Sequence, residues 1–415
     1  MKVALVHDFL VEFGGAERVL EALCEIFPKA PIYTAFYKKG STAYERFKNK
    51  KIVASWAHHV PFFASKLHSP LRFLAPKIWN SFDFSNYDLV ISSSSWYITR
   101  GFKGAKGDKE FVEICYCHTP PRYLYGYRTS VDYKKNPLIK AYAIFVNHFI
   151  RMYDYEAAQR VDYFVANSEE VKRRIQKFYR RESKVIYPPV DVDRFSRGPV
   201  TSFPPVSARS KLKPKGNQKD NVELRAVGIP STGATPQENG YFLSVSRLVG
   251  AKNVDLIVEV CKKLNLPLKI VGTGREMQAL KELATRNKKQ ETRNKIEFLG
   301  EVDDKNLIDL YQNCRAVIFA ASQEDFGIVP VEAMAAGKPV IALAEGGVLE
   351  TVVDGKTGVY FDWATPESLT IAIKNFEKLE KNGAFDPEFI QAHAQKFSKE
   401  RFKREILKFV ESKTK

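Results

Sequence analysis

The sequence predicts an α/β protein with two doubly wound domains, each an open parallel sheet covered by helices on both faces. Two series of short apolar, β-type segments alternate with helix-patterned segments along the chain. Residues 196–240, which are rich in Pro, Gly, Ser, Lys and Asn and lack an apolar period, separate the two series. The length of 415 residues also exceeds what one hydrophobic core usually organises.

The first series starts with a strand at 2–7, a glycine-containing loop and a helix at 16–27, whose apolar residues recur at helical spacing. A further helix follows Asn167 or Ser168, either of which suits the N-cap position, and two glutamates at its start suit the positive end of the helix dipole. The remaining predicted strands of this series are 88–94, 111–117, 163–167 and 183–190.

The second series predicts a complete second domain of the same kind. We therefore place the domains at 1–195 and 241–395, with 196–240 as a flexible linker that carries an insertion. Two amphipathic, basic helices close the chain. The other strands and helices of this series are expected at 241–248, 253–264, 267–274, 275–286, 296–302, 304–314, 315–321, 339–343 and 358–361.

The charge balance favours anionic partners. The chain contains 65 Lys and Arg against 48 Asp and Glu, a net charge of +17. Nucleotide phosphates, anionic lipid headgroups and nucleic acid are the partner classes that such an excess suits. A merely basic, soluble surface explains the same excess equally well.

Targeting segments and metal sites are not expected. No run of about 18 apolar residues is present, and the short apolar start meets His7 and Asp8 almost at once, so it is interpreted as a buried strand rather than a signal peptide. Five scattered cysteines indicate reduced thiols in a cytosol. The cluster Cys-Tyr-Cys-His at 115–118 lacks the second ligand pair of a zinc site.

The segment from Ala321 to Ala342 places Glu324 and Asp325 between a predicted strand and a predicted helix. Open parallel sheets bind ligands at the carboxyl ends of their strands, so these residues are candidates for a binding site. The helix is expected from Val329 to Ala336, with Pro330 and Glu332 in its first turn and Gly337 at its end.

Free backbone amides at this helix start can bind an oxygen of a phosphate or a sugar; they belong to Phe326, Gly327 and Ile328. Carboxylates beside such an anion site would repel phosphate, so the hydroxyls of a sugar and a ribose are their natural partners. Stabilisation of the helix dipole would explain Glu332 but leaves Glu324 and Asp325 without a role.

The segment EDFGIVPVEAMAAGKPVIA resembles the E-x7-E region of retaining glycosyltransferases of family 4, which have the two-domain GT-B fold. Four further resemblances follow the family's order: FGGAERVL at 13–20, CHTPPRYLY at 117–125, and the segments 165–195 and 242–260. They imply two Rossmann-like domains facing a central cleft. They also imply a C-terminal helix, at about 396–415, that crosses back to the first domain.

The resemblance implies roles for residues on both sides of the cleft. His118 would bind a hydroxyl of the donor sugar, Glu324 would hold other hydroxyls of that sugar, and Glu332 would hold the ribose. Arg247 and Lys252 would neutralise the departing diphosphate, which is electrostatic stabilisation of the transition state. Further donor contacts fall on Gly14, Gly15, Gly272, Phe326, Gly327 and Ile328, and acceptor contacts on Asp8 and Arg122.

Structural explanations stand beside several of these roles. Gly14 and Gly15 let backbone amides approach a pyrophosphate, but they also suit a tight turn. Arg247 and Lys252 could be solvated cations, His118 a structural histidine, and Asp8 a capping residue.

In the implied reaction the leaving phosphate deprotonates the incoming hydroxyl on the same face of the sugar. Glu324 and Glu332 are therefore not the acid and nucleophile of a retaining hydrolase. Neither a metal nor a cofactor beyond the nucleotide sugar is expected. HDFLVEFGGAERVL and HTPPRYLYGY are most like bacterial mannosyltransferases, which favours GDP-mannose and a glycan or lipid-linked acceptor. The alternatives are a UDP-sugar donor, or a non-catalytic basic scaffold that binds membrane or nucleic acid.

The segment 38–84 interleaves aromatic and aliphatic residues with lysines and arginines. Such a surface can lie on an anionic bilayer and would suit a lipid-linked acceptor. A core with a solvated basic rim explains the same pattern. RNA binding is not expected, since no recognised nucleic-acid motif accompanies it. We expect a cytoplasmic protein, with peripheral contact at the inner face of the membrane as one outcome.

Overall fold

The computed structural model describes residues 1–102, 111–129, 137–196, 240–286 and 296–414. Within these ranges the chain forms two parallel sheets, one of seven strands and one of six. Helices cover both faces of each sheet, as the alternation of segments predicted. Apart from its first and last residue, the predicted linker 196–240 lies outside the described residues.

The first sheet has the strand order β3-β2-β1-β4-β5-β6-β7, and every neighbouring pair is parallel. The order reverses between β1 and β4, which places a ligand-binding crevice at their carboxyl ends. The strands are β1 Val3–His7, β2 Ile32–Thr34, β3 Ile52–Ala54, β4 Leu89–Ser94, β5 Val112–Cys117, β6 Tyr163–Ala166 and β7 Ser183–Val185.

The first domain contains five α-helices among the described residues. The helix after β6 begins where it was predicted, because the Ser168 hydroxyl accepts a hydrogen bond from the Val171 amide. The helices are α1 Gly15–Ile26, α2 Thr42–Phe47, α3 Ala75–Trp79, α4 Pro137–Arg160 and α5 Glu169–Tyr179.

The second sheet has the parallel order β10-β9-β8-β11-β12-β13, with its reversal between β8 and β11. Its strands are β8 Phe242–Val245, β9 Leu268–Val271, β10 Ile296–Gly300, β11 Ala316–Phe319, β12 Val340–Leu343 and β13 Gly358–Phe361. The helices that cover it are α6 Val254–Lys263, α7 Met277–Thr285, α8 Asp304–Asn313, α9 Ile328–Ala335, α10 Val348–Thr351, α11 Pro366–Lys381 and α12 Pro387–Ala394.

The last helix, α13 Lys399–Thr414, returns to the first domain. Phe402, Ile406 and Val410 are buried in the same hydrophobic cluster as residues of β1 and α1. Lys399 and Lys403 both form ion pairs with Glu25 of α1. The predicted crossover of the C-terminal helix is confirmed.

Two predictions about single elements are wrong. Helix α9 starts at Ile328, with Gly327 as N-cap, so Glu332 lies beyond the first helical turn rather than inside it. The strand predicted at 183–190 ends at Val185, and it cannot continue through Pro188 and Pro189, which have no amide hydrogen for the ladder.

The segment 38–84 contributes to the core and to the surface. Phe63 and Trp79 are fully buried in the first domain, whereas Trp56, Phe62 and Phe73 are exposed. Helix α4 is not among the predicted elements, because apolar residues occur on all its sides and hide the helical period. No helix in the described parts of the chain is both long and apolar enough to cross a membrane.

Candidate active site

A cavity of about 980 Å³ lies between the two domains, where the carboxyl ends of both sheets face each other. Its volume suits a ligand of nucleotide-sugar size. The predicted site residues that line it are Gly15, His118, Arg122, Arg247, Lys252, Glu324, Phe326, Gly327 and Ile328. The predicted residues Asp8, Gly14, Gly272 and Glu332 are not among its lining residues.

Lys252 and Glu324 form an ion pair in the second-domain half of the cavity, with 2.6 Å between Lys252 Nζ and Glu324 Oε2. Lys252 ends a short helical turn after β8, and Asn253 ties that turn to the loop after β11 by donating to the Ala320 carbonyl and the Ser322 hydroxyl. Arg247 lines the same wall and is exposed. Lys252 and Glu324 are therefore paired with each other in this structure, although the resemblance implied a phosphate contact for one and a sugar contact for the other.

The start of α9 faces the glycine loop of the first domain. Gly327 is the N-cap in a left-handed conformation, with φ of 89°, and Phe326 before it is buried against Tyr187 and Phe397. A Cβ atom on Gly15 would lie 3.0 Å from Cδ1 of Ile328. The two domains thus lie close together where a helix N-terminus opens onto the cavity.

The other two glycines serve local structure. The Gly14 amide donates to Oε2 of Glu17 at 2.9 Å, so Gly14 begins α1 rather than facing the cavity. Gly272 has φ of 123°, and a Cβ atom there would lie 1.9 Å from the Ser246 carbonyl oxygen. Its role here is the close approach of two backbone segments.

Glu332 is buried beside the cavity and both its oxygens have partners. Oε1 accepts from Arg18 Nη1 at 2.6 Å, and Oε2 accepts from the Tyr311 hydroxyl at 2.8 Å. Because Arg18 belongs to α1, this contact joins the two domains. The carboxylate of Glu332 raises the pKa of the Arg18 guanidinium.

Asp325 is held by two arginines of the first domain. Arg122 Nη2 lies 2.9 Å from Oδ2, and Arg174 pairs with Oδ1. Burial opposes the ionisation of Asp325, but the two guanidinium groups outweigh it and hold its pKa below the usual range. Arg122 therefore contacts the second domain in this structure.

A second contact between the domains lies next to this one. The amides of Glu169 and Glu170, at the start of α5, donate to the two carboxylate oxygens of Glu350 at 2.7 and 3.0 Å. A carboxylate at a helix N-terminus satisfies amides that lack partners within the helix. We call Arg122, Arg174, Asp325 and Glu350 the interdomain clamp.

His118 follows β5 and lines the first-domain half of the cavity. Its Nε2 lies 2.8 Å from the Ser93 hydroxyl oxygen, which leaves Nδ1 as the ring atom that can meet a ligand. Burial lowers the pKa of His118 to about 4. The imidazole is therefore neutral at pH 7 and can serve as a hydrogen-bonding group.

Asp8 is buried and accepts hydrogen bonds from the loop that follows β4. Its oxygens receive the amide of Trp96 at 2.6 Å, the hydroxyl of Ser95 at 2.7 Å, and the hydroxyl of Thr99. In this structure Asp8 therefore has a structural role, and its acceptor contact stays a prediction. They shape the loop carrying Trp96, which lines the cavity.

Two domain models match this chain. Residues 13–194 match "Glycosyltransferase Family 4", and residues 229–397 match "Glycosyl transferases group 1". The chain belongs to the family 4 glycosyltransferases. The predicted family is confirmed, and the two models together extend over most of the sequence.

Two relatives of this glycosyltransferase are α-1,3/1,6-mannosyltransferases named ALG2. The protein from Dictyostelium discoideum is 45% identical over 87 residues, 21% of each chain. The protein from Candida glabrata is 26% identical over 85% of this chain and 78% of its own length. For the first four curated relatives, the aligned stretches cover between 21% and 49% of the relative's own length.

A solved structure of Alr3699/HepE from Anabaena, in complex with UDP, has a similar fold. It superposes with a TM-score of 0.67 at 19% identity, covering 99% of this glycosyltransferase and all of that chain. The likeness confirms the predicted GT-B fold.

The structure brings in site residues that were not predicted. Arg174 is almost fully buried and lies with Val171 and Ile175 on the inward face of α5, a position that its spacing indicates. Arg18 lies within the FGGAERVL segment, but its partner Glu332 is 314 positions away, so no local pattern indicates the pair. Ser93, which contacts Nε2 of His118, and His7, which contacts Ser93, are likewise distant from His118 along the chain.

Proposed function

We propose that this protein is a retaining hexosyltransferase that transfers mannose from GDP-mannose to a hydroxyl of a glycan or lipid-linked acceptor. One observation carries the proposal. A single cavity joins the Lys252–Glu324 ion pair and Arg247, from one domain, to the neutral His118 of the other. Cations for a diphosphate thus face a neutral hydrogen-bonding group suited to a sugar hydroxyl.

In the proposed reaction the bond between the anomeric carbon and the β-phosphate oxygen breaks, and a bond to the acceptor oxygen forms on the same face. The acceptor proton passes to the departing phosphate. Lys252 and Arg247 stabilise the negative charge that develops on the diphosphate. Exchange of the Lys252–Glu324 contact for ligand contacts frees Lys252 for phosphate and Glu324 for sugar hydroxyls.

A mechanism with two carboxylates acting as acid and nucleophile has no support in this geometry. Glu332 is buried between Arg18 and Tyr311, whereas Glu324 lines the cavity. A retaining hydrolase needs both carboxyl groups beside the scissile bond. A ribose contact for Glu332 requires Arg18 or Tyr311 to share the carboxylate with the nucleotide.

The mannose donor is supported by the two ALG2 relatives, whose names describe them as mannosyltransferases. A UDP-sugar is the second candidate, since the structurally similar Alr3699/HepE was solved with UDP. The first test is a donor panel with GDP-mannose, UDP-glucose, UDP-N-acetylglucosamine and UDP-galactose, read by nucleotide release. We expect GDP-mannose alone to be consumed, and consumption of none would contradict the proposed activity.

We also propose that the reaction needs no divalent metal, since Arg247 and Lys252 already supply positive charge for the diphosphate. Among the described residues, no group of three or more His, Cys, Asp or Glu side chains is arranged to hold a metal ion. Turnover should be unchanged after EDTA treatment. A loss of turnover that Mg²⁺ or Mn²⁺ restores would contradict this part of the proposal.

For the acceptor we propose a lipid-linked hydroxyl at an anionic bilayer, with the protein peripheral at the cytoplasmic face. Helix α4 is apolar on its buried side and on its exposed side, and we define the α4 surface as the exposed residues Phe62, Phe73, Ile144, Phe145, Phe149 and Met152. A helix that is apolar all round is usually buried or membrane-facing. Arg72 joins Phe73 to this helix by donating to Asn147.

Two further observations support a bilayer as the partner of the α4 surface. Segment 38–84, which packs beside α4, contains nine Lys or Arg against two Asp or Glu, a balance that suits anionic lipid. The cavity also reaches α4, where Tyr142 and Ala143 contribute to its lining. An acceptor held in the bilayer would therefore enter from the side on which the enzyme rests.

A further inference from the structure

Four buried side chains form a hydrogen-bonded chain from the glycine loop to the cavity. Glu17 Oε1 lies 3.1 Å from His7 Nε2, His7 Nδ1 lies 3.0 Å from the Ser93 hydroxyl, and that hydroxyl lies 2.8 Å from His118 Nε2. Each of the four residues is at most 9% exposed. Only the last of them lines the cavity.

The sheet places these residues together. His7 and Ser93 are directly paired in the parallel ladder between β1 and β4, so their side chains project on the same face. His118 begins the loop after β5, and its amide donates to the Ser94 carbonyl, which fixes it beside the end of β4. Glu17 lies in the first turn of α1, immediately above β1.

The direction of the hydrogen bonds follows from Glu17. An ionised carboxylate can only accept, and Glu17 also accepts from the Gly14 amide at 2.9 Å. His7 must then donate from Nε2, and when this is the only proton on its ring, Nδ1 accepts the Ser93 proton. The Ser93 oxygen accepts in turn from Nε2–H of His118, so Nδ1 of His118 is left with a lone pair.

We propose that Glu17, His7 and Ser93 are positioning residues that hold His118 in the Nε2–H tautomer, so that its Nδ1 accepts a hydrogen bond from a hydroxyl in the cavity. The identity of that hydroxyl, on the donor sugar, rests on the proposed function; the tautomer does not. The chain also ties the geometry of His118 to the glycine loop, because Glu17 binds both His7 and Gly14.

The tautomer can be measured without any substrate. Protein labelled with ¹⁵N at its seven histidines is examined by long-range ¹⁵N–¹H correlation at pH 7.5, and the His118→Asn variant identifies the His118 signals. We expect the Nε2–H tautomer in the wild type and a mixture of tautomers in Ser93→Ala. Ser92→Ala is the matched control, since Ser92 is the buried neighbour on the opposite face of β4, and it should match the wild type.

An Nδ1–H tautomer of His118 in the wild type would overturn the proposal. So would an unchanged tautomer in Ser93→Ala, because the hydroxyl would then not be what fixes the ring.

Kinetics test whether the tautomer matters for transfer. We expect Ser93→Ala to lower kcat about 10- to 100-fold with little change in KM for the donor, as is common when a partner that orients a site residue is removed. Ser93→Thr keeps the hydroxyl and should restore most of the activity. Ser92→Ala and an unchanged melting temperature control for general damage to the fold.

The two kinds of failure are distinguishable. A wild type that consumes no nucleotide sugar contradicts the proposed function, while the ¹⁵N measurement still decides the tautomer. A wild type that is active, with Ser93→Ala equally active, overturns the positioning role.

Discussion

At the cavity edge of the first sheet the polar side chains are buried and joined by hydrogen bonds, whereas at the edge of the second sheet they are charged and partly exposed. His118 is neutral and connected through Ser93 to the interior. Lys252 and Glu324, in the loops after β8 and β11 of the other domain, form an ion pair with about a fifth of each side chain exposed. Both sets follow the carboxyl ends of parallel strands.

This difference determines how each half of the cavity can respond to a bound ligand. Buried polar groups that each have a hydrogen-bond partner give a fixed geometry. A partly exposed ion pair contributes little stability and can exchange its partners for those of a ligand. We therefore expect the first half to orient the sugar and the second half to respond to the diphosphate.

The largest expected effect comes from removing Lys252, one of the two cations in the second-domain half of the cavity. Lys252→Ala should lower turnover of the preferred nucleotide sugar about 100- to 1,000-fold, because charge developing on the leaving diphosphate loses its stabilising partner. Lys263→Ala, an exposed lysine at the end of α6, is the matched control and should leave turnover unchanged. Steady-state kinetics would measure the turnover of both variants. Equal turnover would contradict a role for Lys252 in stabilising the leaving diphosphate.

The second effect concerns the buried His118 in the first-domain half of the cavity, which should make the folding stability depend on pH. His118 has a folded-state pKa of about 4, below the ordinary value of 6.5, so between these values the unfolded chain binds more protons. Stability therefore falls as the pH falls from 6.5 toward 4, by about 3 kcal/mol from this residue. Charged or titratable groups that act on it are His7, Asp8, Glu17 and Asp325.

Thermal melting of the wild type and of His118→Asn between pH 4 and pH 7.5 would measure this contribution. The gap between the two melting temperatures should change with pH, and His59→Asn, at an exposed histidine, serves as the comparison variant. A constant gap for His118→Asn would contradict a buried neutral imidazole.

The third effect concerns the interdomain clamp, which sets the distance between the halves. Arg174→Ala leaves Asp325 with one cation fewer and should destabilise the closed arrangement by about 2 kcal/mol. Arg173→Ala, its exposed neighbour on α5, should have almost no effect. Small-angle X-ray scattering should show a larger radius of gyration for Arg174→Ala alone, and identical curves would show that the Arg174–Asp325 pair does not hold the domains together.

The smallest expected effect is on membrane binding by the α4 surface of the first domain. Phe145 and Phe149 are 67% and 55% exposed, and replacing both by Ser should weaken binding to vesicles rich in phosphatidylglycerol about tenfold. Ile371→Ser on α11, at a residue that is 69% exposed, is the control from the other domain. Vesicle sedimentation would measure the binding, and equal binding of both variants would exclude the α4 surface as the membrane contact.

The second half of the cavity could be predicted from the sequence more completely than the first. Glu324, the start of α9 and the loop after β11 lie within one continuous segment, so their spacing alone indicates a strand, a binding loop and a helix. Arg247 and Lys252 likewise follow one strand. What the spacing could not give is the ion pair between Lys252 and Glu324, which depends on the neighbouring positions of β8 and β11.

The contacts in the first-domain half of the cavity depend on the register between strands, which cannot be read from the sequence. His118 was predicted, but its partners at positions 7, 17 and 93 meet it only because β1, β4 and β5 are adjacent and in register. Helix α4 was missed for a different reason. Its exposed apolar side removes the contrast between faces on which a helical prediction depends.

A crystal structure of the protein with GDP-mannose, or with its unreactive 2-fluoro analogue, would show directly whether the cleft between the domains binds the donor. We expect the β-phosphate within hydrogen-bond distance of Lys252 Nζ and Arg247, and a mannose hydroxyl at Nδ1 of His118. A nucleotide sugar bound with its phosphates away from both cations, or outside the cleft between the domains, would contradict the account.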